Sequence, residues 1–314
     1  MSLLIEVVSL LLDGLQQGAI YVLLAVGLSI ILGTVEFVNF AHGALYLVGA
    51  FFGLYVAQGF EPGGYLAEWG FTSIGLDAGF LAGLFASALL VFVLGLLFER
   101  FVARAFYDRP DTDQILVTFG LAIILQELLG LLVGRGSHRF DTPVWAADPV
   151  PIAGISLPQW RLWIIVITAV LVGAVYVLVE YTDFGLVVMA GTVDPEMVRL
   201  LGIKITRPYL LIFGIGSALA WVAGVVGGPI AAINYTSGTD ILVPAFVTVV
   251  IGGVGSIRGA VAGGVLLGLT QATLVRVSIA GLDFTAWSQV GIYVIAALVL
   301  LYRPQGLLGE EVSS

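Results

Sequence analysis

The segment "EFVNFAHGALYLVGAF", Glu36 to Phe51, sets a carboxylate, a carboxamide and an imidazole into an otherwise apolar stretch, followed at once by Gly43. Glu36, Asn39 and His42 are costly in hydrocarbon, so they stand either at a membrane surface or at work inside a protein cavity. Asn39 and His42 could offer neutral hydrogen bonds to a solute. Asn39, with Gly43, could break a helix, and non-helical backbone is tolerated at membrane depth only where it is buried in protein or lines a cavity. Glu36 most simply marks the membrane surface.

Other chemistries find little support. A P-loop needs G-x-x-x-x-G-K-[ST], but the only lysine is Lys204, preceded by Ile203. H-E-x-x-H and G-x-S-x-G are both absent. Two histidines and no cysteine make a structural metal site improbable and rule out disulfides. "GLSI", Gly27 to Ile30, carries the G-x-S of intramembrane serine proteases, with His42 as a candidate base for Ser29. That is two fixed residues in a glycine-rich chain, and a serine in a transmembrane helix more often bonds back to its own helix. A net charge of −9 is the wrong sign for a nucleic-acid partner.

The elements that position these residues are membrane helices. The 314 residues are 60% hydrophobic and 11% charged. Runs long enough to cross a bilayer recur, each needing about 20 apolar residues. The N-terminus has no basic region, so it is not a secretory signal. Nine candidate spans fall near 10–34, 41–58, 79–99, 114–133, 161–181, 207–230, 241–257, 259–276 and 285–302. The seventh is short, contains Pro244 and ends in "GGVGSIRG"; as a re-entrant element it would leave eight. The expected fold is an all-α polytopic transmembrane bundle, with 1–314 forming a single transmembrane domain.

Lys and Arg set the orientation. One side holds Arg100, Arg104, Arg109, Arg199, Lys204, Arg207, Arg258 and Arg303; the other holds Arg135, Arg139, Arg161 and Arg276. The first side is therefore cytoplasmic, with the N-terminus outside and the C-terminus inside. Trp69, Trp145, Trp160, Trp163 and Trp287 lie near span ends, as interfacial belts require. Gly255, Gly259 and Gly263, then Gly264 and Gly268, recur four apart, as do Gly14 and Gly18, and Gly224 and Gly228. Such spacing lets helix backbones approach closely in lipid.

On the cytoplasmic side, Asp194 is a good N-cap, Pro195 suits the first helical position, Glu196 favours the positive end of the helix dipole and Gly202 can close the helix. Val193, Met197, Leu200 and Leu201 form one apolar face of a helix at about 195–201. Its polar face, with Asp194, Glu196 and Arg199, is not the strongly basic face of an interfacial helix. Docking into a groove on a soluble partner fits at least as well.

Three ordered motifs converge. "GLQQGAIYVLLAVGLSIILGTVEFVNFAHGALYLVGAF", "DPEMVRLLGI" and "AFVTVVIGGVGSIRGAVAGGVLLGL" resemble the N-terminal signature, the coupling segment and the G-G-x-G-S-x-x-G-A block of the permease subunits of branched-chain amino acid ABC importers. That group also takes up urea and short amides, and the resemblance covers about 13–303. Where the family often has Arg-Ala before the coupling helix, Met189 and Ala190 stand here. The resemblance implies a transport subunit rather than an enzyme, in the cytoplasmic membrane. It would be paired with a second permease chain, two cytoplasmic ATPases that use ATP and Mg, and an extracytoplasmic binding protein. It further implies a translocation path at Asn39, His42, Gly43, Gln16 and Gln17, and ATPase coupling through Asp194, Glu196, Met197, Arg199, Leu200, Leu201 and Gly202. Whether the "NFAHG" stretch touches solute or only turns the chain stays open. An ion-coupled carrier is the alternative, with Glu127 and Glu180 as its acidic candidates, both near span ends.

Overall fold

The computed structural model describes residues 2–152, 155–276, 278–279, 282–283 and 287–309. The chain is predominantly helical. Among the described residues, six helices are long and apolar enough to cross a membrane: α1 (Ser2–Val35), α4 (Phe80–Phe101), α5 (Asp111–Val133), α6 (Gln159–Tyr181), α9 (Thr206–Gly227) and α11 (Ile257–Arg276). Three shorter apolar helices, α2 (His42–Ala57), α10 (Ser237–Gly252) and α12 (Ser288–Tyr302), match the second, seventh and ninth expected spans. Residues 285–286, at the start of that ninth span, lie outside the described residues. Each of these three is 15 or 16 residues long, so it rises about 24 Å at 1.5 Å per residue, short of a roughly 30 Å hydrocarbon core. Among the small elements are α3 (Gly64–Glu68), α7 (Asp183–Val193), α8 (Pro195–Leu200) and two hairpins, β1 (Pro149–Ile152) with β2 (Ile155–Pro158) and β3 (Ser278–Ile279) with β4 (Leu282–Asp283). Sequence periodicity foresaw neither α7 nor the hairpins.

The chain divides into two compact units. One comprises residues 1–29, 142–172 and 244–314, the other 30–141 and 173–243.

In the first unit, α11 lies between α1 and α10, and glycines make both contacts. A Cβ at Gly18 would sit 2.8 Å from the Gly264 carbonyl oxygen, and one at Gly264 3.0 Å from the Val22 amide nitrogen. A Cβ at Gly268 would run into the Gly14 and Gly18 backbones. On the α10 side, a Cβ at Gly263 would lie 2.7 Å from the Thr248 carbonyl oxygen, and one at Gly259 would strike Gly252. Gly255 departs from the expected packing stripe. It is exposed, lies between α10 and α11, and has φ +80°. That left-handed conformation strains residues with a Cβ, so Gly255 turns the chain rather than packing helices. Residues 305–309 close over the end of α10, where Leu307 and Leu308 amides donate to the Ile251 and Gly252 carbonyls at 2.7 and 3.0 Å. Those carbonyls would otherwise be orphans of a helix terminus. Asp13 of α1 accepts from both Arg161 of α6 and Arg276 of α11, joining three helices.

In the second unit, α2, α4 and α9 pack on one another. Trp221 is fully buried, and its indole N–H donates to the Gly49 carbonyl at 2.9 Å. A Cβ at Gly83 would lie 2.6 Å from the Gly53 carbonyl oxygen, and one at Gly224 2.8 Å from that of Tyr46. Dispersion between closely apposed backbones holds helices together where lipid removes most of the hydrophobic drive. Helix α5 lies outermost, with Leu116, Ile124 and Leu128 exposed.

Candidate functional site

The polar segment noted first lies at a true break in the chain. Helix α1 ends at Val35 and α2 begins at His42, leaving 36–41 non-helical. Glu36 is exposed with φ +48°, a left-handed conformation unusual for a residue with a Cβ. Phe37 is fully buried, with ring centroids 6.4 Å from Phe98, 6.0 Å from Phe213 and 5.9 Å from Tyr107. Two side chains of α5 satisfy alternate amides of the link. Val38 N–H donates to Gln114 Oε1 at 2.9 Å, and Phe40 N–H to Thr118 Oγ1 at 3.0 Å. Gln114 is itself fixed, because its Nε2 donates to the Phe106 and Arg109 carbonyls at 3.2 and 3.1 Å. The Thr118 hydroxyl donates to the Gln114 carbonyl at 2.7 Å.

Asn39 and His42 are both fully buried. Neither Oδ1 nor Nδ2 of Asn39 has a hydrogen-bond partner. An unmet buried donor or acceptor costs about 1–3 kcal/mol, so such an amide calls for a role. Capping is not that role: Ala41 is the N-cap of α2, and no side-chain bond caps it. Gly43 does not break the helix either. It lies within the first turn of α2, where the lack of a Cβ admits the Gly238 backbone of α10. Beside Phe40 a pocket of about 230 Å³ opens among α2, α5 and α10, walled by Ala44, Leu47, Phe119 and Leu242.

Near Phe37 lies an ion pair that sequence reasoning missed, between a buried carboxylate, Glu99, and an exposed arginine, Arg104. Arg104 grips Glu99 through Nε and Nη2, with the shortest contact 2.7 Å, and the Tyr107 hydroxyl donates to Glu99 Oε1 at 3.2 Å. Burial, and after it the Glu99 carboxylate, push the Tyr107 phenol above its usual range, so it remains a donor.

The coupling segment forms as its capping residues dictate. Asp194 Oδ1 accepts from Met197 N–H at 2.8 Å, and Pro195 opens α8. Gly202 has φ +82°; its amide donates to the Arg199 carbonyl and that of Ile203 to the Val198 carbonyl, the paired bonds of a Schellman ending. Val198 is the buried anchor. Val193, Leu200 and Leu201 are 86%, 76% and 71% exposed, and Met197 and Met189 are also exposed, so the apolar face is uncovered. Arg199 and Glu196 are exposed beside it. Tyr209 of α9 donates its hydroxyl to the Gly191 carbonyl of α7 at 2.7 Å, one turn before Phe213.

The remaining residues fall elsewhere. Gln16 and Gln17 belong to the first unit; Gln16 is buried with Oε1 unpartnered, and Gln17 is half-buried. Ser29 is fully buried, and its Oγ has no hydrogen-bond partner. It therefore neither bonds back to α1, as expected of a membrane serine, nor has a base beside it. Ser87, Ser217 and Thr248 do bond back to their own helices. Glu127 is an exposed partner of Arg135 at 3.0 Å, unlike a carboxylate poised at a membrane midplane. Among the described residues, no cluster of three His, Cys, Asp or Glu could hold a metal.

Comparison with known proteins places the sequence in a family. The family model described as the permease component of the branched-chain amino acid transport system matches residues 10–301. The chain is 30% identical over 309 residues to the high-affinity branched-chain amino acid transport system permease protein LivH of Escherichia coli K12, covering 95% of this chain and 94% of that protein. It is 29% identical over 306 residues to the corresponding permease BraD of Pseudomonas aeruginosa, covering 96% and 95%. It is also 23% identical over 303 residues to the fructose import permease protein FruF of Bifidobacterium longum, covering 90% and 75%. The chain belongs to the permease family of the branched-chain amino acid ABC transport system.

Proposed function

We propose that this chain forms half of the translocation pathway of an ATP-driven importer of branched-chain or other neutral amino acids, or of small amides, in the cytoplasmic membrane. The observation that carries this reading is the uncovered apolar face of α8. A capped helix with a buried anchor and three outward aliphatic side chains is built to enter a groove. The chain lacks a nucleotide motif, so the ATPase and its Mg-ATP lie in partner subunits. A second permease chain and an extracytoplasmic binding protein complete the assembly.

In this reading the chain crosses the membrane eight to nine times, with the N-terminus outside and the C-terminus inside. Six long helices and the shorter α2, α10 and α12 match the nine expected spans in order. Orientation draws support from the excess of Lys and Arg on the side assigned to the cytoplasm, eight against four. The unpartnered Asn39 amide and buried His42 supply neutral hydrogen bonds along the cytoplasmic part of the path, and Gln16 and Gln17 add polar groups to it.

Co-expression with cognate ATPase subunits should yield a stable complex, and proteoliposomes holding that complex and a binding protein should take up leucine only with ATP. Uptake driven by an ion gradient without an ATPase would overturn the proposal. Within the working complex, His42→Ala is expected to lower uptake about tenfold while leaving the amount of folded protein within twofold, and His42→Gln should retain most activity, as loss of about one neutral hydrogen bond implies.

A further inference from the structure

We propose that Gln114 and Thr118 of α5 are positioning residues that form a releasable latch on the 36–41 link, and that release of the latch during transport turns Asn39 from its buried, unpaired position toward the water-filled path. This rests on reading the link as part of that path.

The amides of a buried non-helical link need partners from backbone, side chains or water. Here the amides of Val38 and Phe40 go to an amide oxygen and a hydroxyl one helical turn apart on α5. Both acceptors are set in advance. Gln114 is fixed by two carbonyls, and the hydroxyl proton of Thr118 is committed to the Gln114 carbonyl, which leaves a lone pair for Phe40. Both side chains are buried, so water does not compete for these bonds.

The latched state also carries two unfavourable features. Glu36 sits at φ +48°, where glycine would be relaxed, and both polar atoms of Asn39 are buried without partners. Each would be relieved if the link moved. The pocket beside Phe40 gives that ring space to turn into. Strain and an unmet amide on one side, and two side-chain bonds with the Phe37 cluster on the other, make a two-state element.

The chain contains no cysteine, so a single Ala41→Cys, at a fully buried position of the link, reports its release. In membrane vesicles without ATP, labelling by a maleimide should be slow in the otherwise wild-type background. Thr118→Val should raise the rate about fivefold, the effect of losing about one hydrogen bond, and Gln114→Leu, which also loses the bonds to the Phe106 and Arg109 carbonyls, should raise it further. Thr118→Ser should return it to the starting rate. Glu36→Gly, which relaxes the left-handed residue, should slow labelling and keeps the test open if Thr118→Val does not fold. In the assembled importer, Thr118→Val should lower uptake per ATP hydrolysed with KM unchanged. Equal labelling in Thr118→Val and its parent, or faster labelling in Glu36→Gly, would overturn the latch. The path reading fails separately: normal uptake by His42→Ala would remove it while leaving the labelling result intact.

Discussion

Gly268→Leu should prevent α1 and α11 from docking and leave almost no folded protein. A leucine there meets the Gly14 and Gly18 backbones, not the tip of a movable side chain. Overpacking in a core costs about 1–3 kcal/mol when neighbours can shift, and more when the obstacle is backbone. Because membrane helices gain much of their association from such contacts, a small shift apart forfeits many of them at once. Gly120→Leu is the control, since nothing lies within 4 Å of a Cβ built there. Detergent-solubilised size-exclusion profiles and thermal unfolding of the two variants compare them directly. A wild-type profile for Gly268→Leu would mean that the glycine face of α11 does not pack as described.

The double change Leu200→Asp and Leu201→Asp should leave the chain folded and silence transport. Both side chains are largely exposed, so their loss costs the isolated chain within about 0.5 kcal/mol. If they are anchors in an ATPase groove, each is worth about 2 kcal/mol, and together their loss weakens association about a thousandfold. Titration of purified ATPase against the permease in nanodiscs measures this, and Arg199→Glu should show a smaller decrease. Undiminished binding by the double variant would move the ATPase contact away from α8.

Elements written in local sequence were read well, and elements made by distant contacts were not. Helix α8 was legible because Asp194, Pro195 and Gly202 each act within one turn of themselves. Helix α7 was not: "DFGLVVMAGTV" is rich in glycine and β-branched residues, and its place is set by neighbours, with Gly185 against the Val179 backbone and Gly191 against Tyr209. Gly255 was misjudged because a spacing of four suits both a packing stripe and a left-handed turn that precedes one. The role of Asn39 as a helix breaker failed for a similar reason, since the break is made by Glu36 and by α5. The bonds from Gln114 and Thr118 span 76 and 78 residues of sequence, beyond any local rule. A signal was present nonetheless: a glutamine and a threonine at i and i+4 in an apolar span mark one polar edge facing protein.

The clamp at Asp13 bears on how the chain is made. Its unit draws on residues 1–29, 142–172 and 244–314, so α1 waits for α11, made much later in synthesis. Arg161 arrives about halfway through synthesis, while Arg276, Gly264 and Gly268 follow only near the end. Until then the bare glycine face of α1 lacks its α11 partner, and the carboxylate has only Arg161. Residues 30–141 and 173–243, by contrast, are complete before α11 emerges. Synthesis at about 5–20 residues per second then separates closure of the two units by several seconds, an interval in which an insertase or lipid must shield α1.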